Sequence, residues 1–342
     1  MPAVLWTILI LALVASYQLR DAQMALSHLR NASEAERMRD AATSAMEAVL
    51  GGLAENANAE ADGEVEGWGW GTLTAQGLAE RVAEDFPDLL IHVRVQAEDS
   101  KVAISDREGA ARLLESLGMT RLQAQDNAER LADYAEKSVP EAEEEFPQQW
   151  RLMASLPSLR LFDIHGRDLN WNGTVEDWEA YRWAEREGTG QPSPFEAILA
   201  KAPGGLAEHL TLMTESGGDE GAALPNPNLA SAQRLALVPG LNETAGEQIL
   251  TLRRGADGIQ GTEDDVLLEK AEDLGSISAI SGFREVGLDR VAANVSFTSD
   301  LYRIGVCVEV PRTHRLYRIE ALARRVDEAG VRVEYWMEDR GL

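Results

Sequence analysis

Apolar positions run almost without a break from Ala3 to Ala15. They then thin to a stripe at Leu19, Leu26, Leu29, Met38, Ala42, Met46 and Val49. The steps are mostly three or four residues, or multiples of these, which keeps side chains on one face of an α-helix. No Gly or Pro interrupts residues 3 to 50. The pattern predicts one long helix, apolar first and amphipathic later, ended by Gly51-Gly52. A membrane-spanning helix needs about 20 apolar residues, and this run is shorter. Leu13-Val14-Ala15 loosely fits a signal-peptide cleavage site, but no positive charge precedes the apolar run. The uninterrupted stripe favours the helix.

Period two appears next. Ile91, Val93 and Val95 alternate with polar residues, as do Val102 and Ile104, and "AEDS" lies between them. This predicts a hairpin over 89–105. From 107 the spacing turns helical again in "REGAARLLESLGMT" and "LQAQDNAERLADYAEK", with further helices expected near 148–156 and 175–187. At the end, "LYRIGVCVEVP", "HRLYRIEALARRV" and "VRVEYWME" alternate once more. They predict an antiparallel sheet with exposed Arg and Glu. "LVPGLNETAG" (237–246) is similar to a helix-hairpin-helix turn, but Asn242 stands where a second glycine would present N–H groups to phosphate. Packing explains that segment better.

Charge sharpens this picture. Lys+Arg 32 against Asp+Glu 58 leaves −26 over 342 residues, which argues against nucleic acid as a partner and suits divalent cations or basic protein surfaces. The single cysteine, Cys307, excludes an intramolecular disulfide and lies in an apolar run, as a buried structural thiol would. The five histidines are scattered, and no HExxH, GxSxG or phosphate-loop spacing occurs. No catalytic site and no small-molecule substrate are expected. "GWGWG" (67–71) carries Trp68 and Trp70 on a turn, for core packing or a partner surface.

One stretch has the spacing of a metal loop. In "DLNWNGTVEDWE" (168–179), Asp168, Asn170 and Asn172 fall at positions 1, 3 and 5 of a twelve-residue EF-hand loop. Gly173 is at 6, Thr174 at 7, Glu176 at 9 and Glu179 at 12. Ca²⁺ is a hard cation that takes six to eight oxygens, so short oxygen-bearing side chains must alternate around a tight turn. Thr174 would give its backbone carbonyl, and Glu179 would close the site with two oxygens. The plainer alternative is a polar Asn/Gly turn ahead of a helix. Only one of the first three ligands is charged, so the expected Kd is about 10⁻⁴ M or weaker. A second loop, "GADGIQGTEDDV", sets Asp257, Glu263, Asp264 and Asp265 together, either as another cation site or as a solvated acidic loop.

The order of these pieces resembles the K-class minor pseudopilin of the type II secretion system (general secretion pathway protein K). The resemblance is carried by the N-terminal apolar helix, the "SKVAIS" strand leading into a helix and "GMT", "NPNLASAQRLALVPGL", and the closing "VSFTSDLYRIGVCVEV". It implies an α+β pseudopilin fold: a long N-terminal helix on an antiparallel sheet, with a large inserted α-helical domain. The corresponding divisions are 1–50 for the helix, 51–106 for the first part of the scaffold, 107–280 for the insertion and 281–342 for the C-terminal strands. It further implies a tip subunit that assembles with the I- and J-class minor pseudopilins, anchored in the bacterial inner membrane through its helix, with its bulk in the periplasm. Calcium bound in the inserted domain is also implied. Pseudopilins carry a short basic leader ending in glycine, and none stands before Pro2. The chain is therefore expected to begin inside the usual membrane helix, through trimming or a misassigned start. The alternative function is a secreted calcium-binding adhesion or carbohydrate-binding module with Trp68 and Trp70 as its stacking platform.

Overall fold

The computed structural model describes residues 2–55, 75–138, 166–172, 174–187, 205–211, 224–256, 266–277, 286–326 and 330–339. Helix α1 (Pro2–Glu55) is 54 residues long, about 80 Å at 1.5 Å per residue. It runs through Gly51-Gly52 instead of ending there. A glycine costs a helix about 1 kcal/mol. Beyond the pair, Leu53 is fully buried in the same cluster as Met46 and Val49, and that burial outweighs the cost.

The apolar stripe of α1 serves two ends. Met38, Ala41, Ala42, Ala45, Met46, Val49 and Leu53 are buried against the sheet. Every residue from Leu13 to Ser33 is exposed, including Leu19, Leu26 and Leu29. Among the described residues, no helix is long and apolar enough to cross a membrane.

Among the described residues, four antiparallel strands form the main sheet in the order β1 (Leu90–Ala97), β4 (Leu301–Val310), β5 (Arg315–Val326) and β6 (Gly330–Asp339). Alternation assigns their faces. Ile91, Tyr302, Ile304, Val306, Val308, Ile319 and Ala321 point to α1, with Ala79 of α2 (Ala75–Ala83) joining them. Arg303, Gly305, Cys307 and Glu309 occupy the other face, and here the expected exposure of Arg and Glu fails. Arg303 is 6% and Glu309 2% exposed, because chain from between β1 and β4 covers that face.

Helices fill the excursion between β1 and β4. α3 (Arg107–Ser116) starts at Asp106, whose carboxylate accepts the Gly109 N–H. It packs with α4 (Arg121–Ser138) through Leu113, Leu114 and Leu131. A short parallel pair, β2 (Val102–Ala103) with β3 (Leu210–Thr211), closes that cluster. After α5 (Asp177–Glu187), α6 (Ala232–Leu235) meets α7 (Glu243–Arg253) at Gly246, where a Cβ would fall 2.6 Å from the Ala232 carbonyl oxygen. Asn242 caps α7 by accepting the Ala245 N–H at 2.8 Å, which accounts for that residue in the hairpin. α8 (Val286–Ala292) packs Val291 with Ile249 and Leu274. The architecture is therefore α+β, with a long helix on an antiparallel sheet and helices inserted between its first two paired strands.

The expected hairpin at 89–105 does not form, since β1 pairs with β4 and β2 with β3. The reason lies in "EDSK". Glu98, Ser100 and Lys101 are buried. The Glu98 carboxylate accepts from Arg303 Nε at 2.8 Å, from Thr211 Oγ1 at 2.6 Å and from Lys101. Lys101 Nζ also donates to the Ala207 carbonyl at 2.7 Å. These bonds hold the end of β1 to β4 and turn the chain towards β3. Burial alone would raise the pKa of Glu98, but the charges of Arg303 and Lys101 outweigh it and hold the group at about 2.

Candidate metal centre

The 168–179 loop lies on the face of the sheet away from α1. Leu169, Trp171 and Trp178 pack on Cys307 of β4 and Leu316 of β5. Trp171 takes φ +62, a left-handed conformation that costs a bulky residue about 1–3 kcal/mol. Two sheet residues contact its ring. It lies on Gly305, where an added Cβ would come within 2.7 Å of Trp171 Cζ3. From β5, the Arg318 guanidinium stands 5.2 Å from its centroid, and Arg318 also donates to the Leu169 carbonyl. Cys307 beneath is fully buried, and burial pushes its thiol up to about 12. It is a structural thiol, as the apolar run implied.

Gly305→Ala is expected to cost about 1–3 kcal/mol by overpacking. Cys307 should become labelled faster by a thiol reagent in native buffer, as the Trp171 contact is displaced. Denaturant titration and labelling kinetics check both effects. Unchanged values would mean that the loop does not depend on this contact.

The structure brings most of the expected ligands together. Asp168 Oδ1 and Asn170 Oδ1 both accept the Asn172 N–H, at 3.1 and 3.2 Å. Asn172 Oδ1 accepts from the Thr174 N–H and hydroxyl, both at 2.9 Å. Glu179, one of two acids in the first turn of α5, folds back over the loop. Its Oε1 accepts from the N–H groups of Leu169 (2.6 Å) and Asn170 (3.0 Å), and its Oε2 from that of Glu176 (2.8 Å). Burial, with the charge of Asp168 behind it, raises the Glu179 pKa despite these bonds. Thr174 and Glu176 are exposed. Gly173, Asp257, Glu263, Asp264 and Asp265 lie outside the described residues.

Sequence reasoning missed what the sheet contributes. Glu309 of β4 is 2% exposed. It accepts from Asn170 Nδ2 at 2.9 Å and lies 2.7 Å from His314 Nδ1 in the β4–β5 turn. His314 stacks on Trp178 with centroids 4.6 Å apart. His92, opposite Cys307 in the register, has its pKa lowered by burial, against the pull of Glu309, Asp168 and Glu176. The alternation that sets Glu309 and Cys307 on one face was visible. What lay across from them was not.

By donor chemistry the residues fit a hard cation. Every side-chain donor of the loop is an oxygen, and Asp168, Glu179 and Glu309 are carboxylates removed from water. As they stand, Asp168 and Glu179 accept from the loop's own backbone N–H groups, and Glu309 from the Asn170 side-chain amide. Among the described residues, no group of three or more His, Cys, Asp or Glu side chains is arranged to hold a metal.

Fold and loop define a class of protein: an α+β chain with a half-exposed N-terminal helix and an oxygen-lined loop strapped across its sheet. No family model and no curated protein matches the chain. Among solved structures it is similar to a chain of the GspK-GspI-GspJ complex from the enterotoxigenic Escherichia coli Type 2 Secretion System. That similarity has 11% identity and a TM-score of 0.47, and it covers 91% of this chain and 99% of the other.

Proposed function

We propose that this chain is a structural minor pseudopilin of the K class, at the tip of a type II secretion pseudopilus. It initiates or caps assembly with I- and J-class minor pseudopilins and performs no catalysis. The observation that best supports this reading is the division of α1. One half is bound to the sheet, while the other leaves Tyr17, Leu19, Met24, Leu26 and Leu29 in solvent. Each large apolar side chain buried is worth about 1.5–3 kcal/mol, so such a face favours partners. The apolar start, Ala3 to Ala15, is assigned to the bacterial inner membrane, and the body to the periplasm.

Calcium belongs to the same proposal. Asp168, Asn170, Asn172, Glu176 and Glu179, with the Thr174 carbonyl, would hold it. Bound there, the ion supplies positive charge that offsets the acids and stabilises the fold by mass action. Asn172 and Thr174 keep the turn tight, and Trp171 keeps it on the sheet.

Light scattering of the chain mixed with I- and J-class pseudopilins tests the proposal. A discrete heterocomplex is the expected result. A monomer indifferent to both partners would sink it and turn attention to the secreted adhesion or carbohydrate-binding module, whose Trp68 and Trp70 lie outside the described residues.

A further inference from the structure

We propose that Glu309 is a positioning residue for the cation loop. From β4 it holds the Asn170 amide so that the carbonyl oxygen, and not the NH₂, turns to the side where Asp168 also points its oxygen. The inference rests on the calcium reading above and adds a residue 139 positions away in the chain.

A neutral Asn at the third loop position poses a problem that an Asp does not. One side of its amide is an oxygen that a cation accepts, and the other is an NH₂ that a cation repels. The terminal torsion of Asn is broad, so the side chain alone does not choose. Its surroundings choose here. Asn170 is 1% exposed, and one atom of its amide lies 2.9 Å from Glu309 Oε2 and 3.1 Å from Glu176 Oε2. Ionised carboxylates only accept hydrogen bonds, so that atom is the NH₂. The oxygen is thereby turned the other way, to the Asn172 N–H that Asp168 also receives.

The two carboxylates are not equivalent. Glu176 is exposed and rides on the loop itself. Glu309 is fixed by the sheet, opposite Leu316 in the register, and its second oxygen is held by His314, whose own φ is +50. The rigid partner sets the orientation. A Gln at this position could donate to the Asn170 oxygen, and would then favour the flipped amide.

Calorimetric titration of the full chain with CaCl₂ tests this, using wild type, Glu309→Gln, Asn170→Asp and the double variant. Glu309→Gln should weaken calcium binding by about ten-fold or more, the usual effect of losing an outer-shell partner. In the N170D background the same change should not weaken binding ten-fold, because a carboxylate has no amide to orient. Equal affinity of E309Q and wild type would overturn the inference and leave the calcium reading intact. So would a ten-fold loss that persists in the N170D background. Folded wild type that binds no calcium would overturn both. If Glu309→Gln does not fold, Asn170→Asp alone decides. It sets three carboxylates together, so in chelator it should melt below wild type and gain more from calcium. An N170D protein that melts like wild type in chelator would overturn the inference.

Discussion

Glu98→Gln is expected to destabilise the protein by about 3–5 kcal/mol, the usual cost of removing one partner from a buried ion pair. Glu98 is fully buried, and its neighbours Lys101 (5% exposed) and Arg303 (6%) are nearly so. Without the carboxylate, two cations remain in a site with little water, offset chiefly by Glu320, which Arg303 also reaches at 3.2 Å. The same group predicts an acid limb. Its folded pKa of about 2 lies below the ordinary value of 4.5. The unfolded chain therefore takes up the proton first as pH falls. The contribution is complete above pH 4.5 and disappears as pH falls towards 2, about 3 kcal/mol in all. Denaturant titrations of wild type and E98Q at several pH values check this. The difference between them should be largest at neutral pH and shrink through that window. A constant difference would show that Glu98 is not held as a buried ion.

Calcium should raise the melting temperature of wild type, and Asp168→Ala should abolish the rise. At a Kd of about 10⁻⁴ M, 10 mM calcium is roughly a hundred-fold excess and adds about 2.7 kcal/mol. For a chain of this size that corresponds to about 5 °C. Asp168 is the choice because it is buried, is charged in its ordinary state and points an oxygen into the turn. Scanning calorimetry in calcium and in chelator makes the comparison. The loop packs on β4 and β5, so the gain should appear in the main transition and not in a separate early one. Identical curves in calcium and chelator would reduce the loop to the polar turn that is its plainer description.

Both predictions concern the contact between inserted chain and sheet, and the two parts were unequally legible. Strands at 301–310, 315–326 and 330–339 could be read directly, because residues two apart share a face and their alternation is written locally. The long helix and the helices from 107 to 138 were legible for the same reason at a different period. The loop's schedule of oxygens was legible too, since a tight turn gathers neighbours in sequence.

Local periodicity says which residues share a face but not what covers that face. Arg303 and Glu309 read as solvent-facing, yet the EDSK junction and the 168–179 loop bury them. Gly51-Gly52 read as a helix end, but the burial of Leu53 carried α1 to Glu55. The apparent hairpin was divided between two sheets by the ion cluster of Glu98, Lys101 and Arg303, to which Thr211 also donates. The sequence by itself determined the long helix, the closing strands, which residues share a face and the schedule of oxygens in the loop. Only the tertiary structure decided that the loop meets Glu309 and Gly305, because such contacts join residues more than a hundred positions apart and no local pattern records them.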